Sequence, residues 1–241
     1  MKVEIYSDIA CPWCYIGERR LARALAAFPG ASDVEVVFRP YQLDPAAPER
    51  ARPVAEYLAK RFGRPADAML ARVTQEAAGE GITMDWDRAL AVNTLTAHRL
   101  LRLAEREYGA ATQRALMERL FEAHFARGGD VADHALLTEL AASVGMDAER
   151  VRVYLASNEG EPELRAELQA ARAHGVNAVP TFILDEQYAV EGAQSASAFL
   201  QVLEEVQRRS LAAVPDAERA DDAEQADDAC ADGACVVGER A

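Results

Sequence analysis

Val3-Glu4-Ile5-Tyr6-Ser7 runs within a few residues into Cys11-Pro12-Trp13-Cys14, a β-type stretch followed by two cysteines separated by two residues. Beyond them Ile16, Leu21, Ala24, Leu25 and Phe28 recur at helical spacing as far as Pro29, which predicts a strand-to-helix junction with the cysteine pair at its turn. Two thiols at the start of a helix can close a small disulfide ring and open it again. The unpaired backbone N–H groups and the dipole at a helix start favour an anion there, and the thiolate is the attacking species in thiol–disulfide exchange. Pro12 suits the first turn, where a missing N–H costs nothing. Half of a structural zinc site would need a second C-x-x-C or an H-x₃₋₅-H partner, and the sequence has neither. A permanent staple across so small a loop would add little stability. Cys11 and Cys14 are therefore the candidate redox couple, with no metal expected.

The chain has 241 residues, 50% of them hydrophobic and 27% charged, enough for one substantial core or a core with a large insertion. No apolar run reaches the ~18 residues of a membrane span. Met1-Lys2-Val3-Glu4 leads straight into the strand without the basic and apolar segments of an export signal, so a cytoplasmic location is expected. In a reducing compartment, four cysteines in two close pairs (11 and 14, 230 and 235) read as redox-active or metal-binding. The net charge of −14 argues against a nucleic-acid surface. Half of it, −7, falls between Pro215 and Ala241.

After the first helix, Val34-Glu35-Val36-Val37-Phe38 is a second strand ending near Arg39-Pro40. A strand, a helix and a strand in that order imply a parallel, right-handed βαβ pair. From Pro53 to His174 the pattern is helix after helix. One long helix is predicted to start at a capping Asp87 and carry Leu90, Leu95, Leu100, Leu101 and Leu103 to Gly109. Strands return with Val179-Pro180-Thr181-Phe182-Ile183-Leu184 and Tyr188-Ala189-Val190, and Ser197–Arg209 forms a closing amphipathic helix. Beyond Pro215 the Ala/Asp/Glu composition predicts disorder.

With the helical block set aside, the order is β-α-β…β-β-α, with C-P-W-C after the first strand and Val179-Pro180-Thr181 opening the third. This resembles the DsbA-type thiol–disulfide oxidoreductases of the thioredoxin superfamily, and within them the FrnE-like branch. The stretches that carry the resemblance are Ser7-Asp8…Cys11-Pro12-Trp13-Cys14, Asn93-Thr94…Ala97-His98-Arg99-Leu100, Gly175 to Phe182, and Gly192-Ala193-Gln194. The resemblance implies an α/β thioredoxin fold with a large all-helical insertion between the second and third strands. Residues 1–52 and 175–212 would form the discontinuous thioredoxin-like domain, 53–174 the insertion, and 213–241 an acidic tail. It also implies a cis bond between Val179 and Pro180 beside Cys11, which frees the Val179 backbone to pair with an extended substrate segment. By the same analogy Cys11 is the exposed attacking thiol and Cys14 the buried resolving one. Where strongly oxidising relatives carry a His between the cysteines, Trp13 stands here, more suited to an apolar substrate contact.

Asp8 and His98 are candidate modulators. Asp8, three residues before Cys11, reads first as a helix-start or surface carboxylate and second as a charge or proton shuttle near the thiolate. His98 reads first as a core or lining histidine. Cys230 and Cys235 are a candidate auxiliary redox pair on a flexible tether, set against an oxidation-prone tail without function. The expected activity is oxidation, reduction or isomerisation of protein or peptide disulfides, in the setting of oxidative stress. No cofactor beyond the redox-active disulfide is expected, and recycling falls to glutathione or a thioredoxin-type partner. The sequence leaves the oligomeric state open. Two competing readings are a glutathione transferase or hydroxychromene-carboxylate isomerase on the same fold, and a holdase-like chaperone.

Overall fold

β1 (Lys2–Ser7) is central in a four-stranded sheet, with β2 (Glu35–Pro40) on one side and β5 (Thr181–Leu184) then β6 (Tyr188–Glu191) on the other. A computed structural model describes residues 1–63 and 65–213. Alternation puts Val3, Ile5 and Ser7 on the buried face of β1, as a half-buried strand requires. Helix α1 (Pro12–Ala27) returns the chain to β2 (Glu35–Pro40), which pairs parallel with β1 from Lys2↔Glu35 to Ser7↔Pro40. On the other side of β1, β5 (Thr181–Leu184) runs antiparallel and forms a hairpin with β6 (Tyr188–Glu191). This is the predicted thioredoxin-type arrangement.

Between β2 and β5 lie helices α2 (Val54–Phe62), α3 (Pro65–Gly79), α4 (Leu95–Tyr108), α5 (Ala110–Arg127), α6 (His134–Ser143), α7 (Ala148–Ala156) and α8 (Glu161–Ala173). The predicted long helix from Asp87 is shorter than expected, because Leu90–Ala91 (β4) pairs antiparallel with Arg52–Pro53 (β3). The helix starts only at Leu95, whose N–H is taken by the Asn93 side chain at 2.9 Å. The insertion is thus helical apart from one two-residue ladder. The closing helix α9 spans Ala196–Ala213, longer than the predicted Ser197–Arg209.

The chain divides into two units, Met1–Gln201 and Val202–Ala241. Of the second, residues 202–213 are described, all within α9. Within the first unit, α5 covers the edge of β2. The Phe38 N–H donates to Gln113 Oε1 at 2.8 Å, and Gln113 Nε2 donates to the Phe38 carbonyl at 3.0 Å. A buried side-chain amide thus replaces the strand that an open edge would otherwise recruit. Tyr15 of α1 stacks on Phe121 of α5 at 4.9 Å between ring centres, which fixes the start of α1 against the insertion. Phe182 of β5 packs edge-on against Phe199 of α9 at 4.6 Å.

Candidate active site

Cys11 occupies the N-cap of α1 with extended backbone angles (φ −94°, ψ 110°), and Pro12 fills the first helical position. The Cys11 N–H closes a turn onto the Asp8 carbonyl at 3.0 Å, and the Cys14 N–H bonds the Cys11 carbonyl at 3.0 Å. Both cysteines are free thiols. The Val179–Pro180 bond is cis, as the resemblance implied. Cys11 Sγ lies 3.7 Å from the Val179 carbonyl oxygen, so residues 168 positions apart meet at the thiol. Gly17, one turn after Cys14, lets this approach happen. A Cβ there would stand 3.1 Å from Pro180 Cγ and 3.2 Å from Phe182 Cζ.

The expectation of an exposed Cys11 is corrected. Its exposure is 4%, against 1% for Cys14, because the Val179 loop lies over the sulfur. Burial pushes the Cys14 thiol well above its ordinary range, and Cys11 adds to the effect. The Ser7 hydroxyl and the Asp8 backbone act in the opposite direction. Trp13 is half-buried, with the Arg72 guanidinium of α3 5.8 Å from its ring centre.

The first reading of Asp8, a helix-start or surface carboxylate, is also overturned. Asp8 is 2% exposed. Its Oδ2 accepts from the Leu43 N–H at 2.8 Å and its Oδ1 from the Ala10 N–H at 3.4 Å. His98 of α4 places Nε2 3.4 Å from Oδ1, an ion-pair distance at an angle that makes no well-formed hydrogen bond. Burial alone would raise the Asp8 pKa. His98, the Leu43 N–H and Thr94 outweigh it and hold the carboxyl below the ordinary range. The turn, the β2–α2 connection and α4 are therefore tied together at one buried charge.

Next to this pair opens a pocket of about 220 Å³, lined chiefly by apolar side chains such as Leu43, Val54, Leu58 and Val92, with Asp8 and His124 among its polar walls. His124 of α5 is buried with its Nδ1 unpartnered. Burial drives its pKa down to about 4, against a smaller upward pull from Asp8. Among the described residues, no group of three or more His, Cys, Asp or Glu side chains is placed to hold a metal ion. No described helix is long and apolar enough to cross a membrane.

Cys11, Cys14, Val179 and Pro180 thus come together, with Trp13 beside them and Asp8 and His98 forming a pair. Cys230 and Cys235 lie outside the described residues. Sequence reasoning missed Ser7, Gln113 and His124. None carries a local signal, since each matters only through a neighbour distant in sequence or buried beneath the turn.

A family model described as DSBA-like thioredoxin domain matches residues 2–204. A probable DsbA oxidoreductase from Streptomyces coelicolor superposes with a TM-score of 0.77 at 39% identity, over 85% of this chain and 89% of that one. The cytosolic disulfide reductase DsbM from Pseudomonas aeruginosa, in complex with GSH, is 22% identical with a TM-score of 0.60, covering 86% of this chain and all of that one. A 2-hydroxychromene-2-carboxylate isomerase is 15% identical with a TM-score of 0.63, over 89% of this chain and all of that one. The last two likenesses are of fold.

Proposed function

The chain belongs to the DSBA-like thioredoxin domain family, and from that premise we propose that it exchanges disulfides with protein or peptide substrates through Cys11 and Cys14, in the cytoplasm. The observation that carries this reading is the approach of Cys11 Sγ to the carbonyl of Val179 beside the cis Pro180. A substrate segment pairing along the Val179 backbone would bring its sulfur to Cys11. As a reductase or isomerase, Cys11 attacks the substrate disulfide and Cys14 resolves the mixed disulfide. As an oxidant, a substrate thiolate attacks Cys11 in the closed pair, and the substrate's second thiol completes the exchange. The pocket lined by Leu43, Val54 and Leu58 and the ring of Trp13 offer apolar contacts to the substrate. Cys230 and Cys235 enter the proposal as an auxiliary pair, and glutathione or a thioredoxin-type partner as the recycling agent. A glutathione transferase needs one activated hydroxyl or thiol at the helix start. Two thiols at positions 11 and 14 support the redox reading instead.

The test is equilibration of the full chain in graded glutathione buffers, with each cysteine pair read by peptide mass spectrometry. A reversible Cys11–Cys14 couple is expected. A potential near about −180 mV would assign oxidation or isomerisation, and one near about −270 mV reduction. Cys14→Ser should trap substrates on Cys11. Absence of a reversible couple at these two residues would refute the proposal.

A further inference from the structure

Arginines lying over aromatic rings recur in this chain. Arg19 lies over Tyr15, and Arg99 and Arg150 lie over Tyr154. Each of these three is also engaged elsewhere. Arg19 binds Glu118, Arg150 binds Glu107 and Glu159, and Arg99 binds three backbone carbonyls. Two others differ. Arg72 of α3 lies over Trp13, and Arg172, in the last turn of α8, lies over Tyr41, each 5.8 Å from the ring centre. Both are exposed. Among the described residues neither forms an ion pair, and Arg172 makes one further bond, from Nη2 to the Gln42 carbonyl at 3.3 Å. The acids on their own helices are committed to other partners. Glu76, one turn along α3 from Arg72, binds Arg20 at 2.6 Å, and Glu167 of α8 binds Arg102 at 2.7 Å.

Both rings belong to the thiol site. Trp13 stands between the two cysteines. Tyr41 packs in one cluster with Val179, whose carbonyl oxygen lies 3.7 Å from Cys11 Sγ. A guanidinium held over a ring keeps its N–H fork for a carboxylate, and it loses less freedom on binding one than a mobile side chain would. The sign of the charge matters here. With a net charge of −14, the molecule as a whole repels a substrate that bears carboxylates. Two cations without a carboxylate partner reverse that sign around the reacting sulfur, and the start of α1 adds its positive end.

We propose that Arg72 and Arg172 select substrates carrying carboxylates beside the reacting sulfur, and that the substrate class is an acidic protein segment. The inference rests on the redox reading above. A segment paired along the Val179 backbone offers the side chains that flank its cysteine to the two guanidiniums. Each guanidinium takes one carboxylate through its fork. Neither arginine touches the reacting sulfurs. They decide which substrate docks and in what register. Exposed ion pairs are weak, which sets the effect at about threefold in rate for each arginine and about tenfold for the two.

The test uses the full chain carrying Cys230→Ser and Cys235→Ser, reduced and in excess over a peptide whose one cysteine is joined to 4-thiopyridine. One peptide has two glutamates on each side of the cysteine, and the other has glutamines there. Attack of Cys11 on the peptide sulfur forms the Cys11–peptide bond, breaks the bond to the pyridine sulfur and releases thiopyridone, which times the step. The ratio of the acidic to the neutral rate is read, so any loss common to both peptides cancels. The parent should show a ratio of about ten at low salt that falls towards one as salt screens the charges. Arg72→Gln and Arg172→Gln should each lower it about threefold, and the two together should bring it to about one. Arg172→Lys, which keeps the charge, should hold the ratio above that of Arg172→Gln. Arg152→Gln removes the same charge from exposed α7 and should leave the parent ratio. Glutathione, the other source of carboxylates beside a sulfur, is run as its own thiopyridine disulfide. A parental ratio of one overturns the inference, as does a ratio unmoved by the double substitution or an equal fall in Arg152→Gln. Loss confined to the glutathione compound overturns the acidic protein segment. No thiopyridone from either peptide with the parent removes the redox reading itself, whereas equal release from both removes only the selection.

Discussion

Replacing His124 should flatten the acid side of the stability profile. The imidazole is buried against Phe125, ring centres 4.6 Å apart, with Nδ1 unpartnered. Its pKa falls from 6.5 to about 4, chiefly through burial. As pH drops through 6.5 the unfolded chain takes up a proton that the folded chain refuses until about pH 4. Over that window the unfolded state binds more protons, so stability falls with pH. The gap of about 2.5 units, at 1.36 kcal/mol each, amounts to roughly 3 kcal/mol, lost in full below about pH 4. Urea midpoints followed by circular dichroism on reduced protein between pH 4 and 7.5 would read it. His124→Phe keeps a ring and removes the unpartnered nitrogen, and His124→Asn keeps a polar group that does not titrate. In both, the free-energy difference from the parent should move by about 3 kcal/mol in the variant's favour between pH 7 and 4. The two variants pack differently but share the missing titration, so a parental pH slope in both would refute the reasoning.

Asp8→Asn should cost about 3 kcal/mol at pH 7, the range for breaking one side of a buried pair, and that cost should shrink as pH falls through the depressed Asp8 pKa, where the parent loses the same charge. A double-mutant cycle with His98→Gln, read by urea unfolding, should be non-additive by at least about 1 kcal/mol; additivity would mean the 3.4 Å approach carries no coupling. Gly128→Ala should destabilise by about 3 kcal/mol, lowering Tm by about 6–12 °C, because φ is +66° and a Cβ would stand 2.3 Å from the Arg88 carbonyl oxygen. Gly145→Ala, at φ +89° with nothing within 4 Å, should cost only the left-handed backbone penalty of about 1 kcal/mol, and equal losses at the two sites would refute the steric account.

The features legible in the sequence are those whose physics is local. C-P-W-C after a β-type run announces a strand-to-helix turn, because proline and a helix start leave few alternatives. Alternation in β1 marks its buried face, and the tight turn at Asp185-Glu186, both residues at positive φ, sets the β5–β6 register. The start of α4 is hidden from the sequence for a reason of the opposite kind. Leu90 fits the helical period of Leu95 and Leu101, but the chain at Leu90–Ala91 is held extended by Arg52–Pro53, nearly 40 positions earlier. Periodicity cannot register a partner at that separation. The burial of Asp8 is hidden likewise. A carboxylate three residues before a helix is usually solvated, and only the docking of α4 turns it into a buried ion.

The insertion and the thiol turn are held together as one piece. Asp8 could not remain charged at 2% exposure on the strands alone, since burying an unpaired carboxylate costs several kcal/mol and would drive it neutral. Its compensation comes partly from the Leu43 N–H, beyond β2, and partly from His98, on the insertion. One residue along α4, the Arg99 guanidinium binds the carbonyls of Tyr154, Ser157 and Glu159 at 3.2, 2.6 and 3.0 Å, closing the end of α7. Nearly two turns further along α4, Glu105 reaches Arg39 on β2. A single helix therefore fixes the charge beside the thiols, the packing of the insertion and a side-chain contact to the edge strand β2. Displacing α4 would take His98 from Asp8 and Glu105 from Arg39 together, so the helical insertion holds the thiol turn in place rather than only covering it.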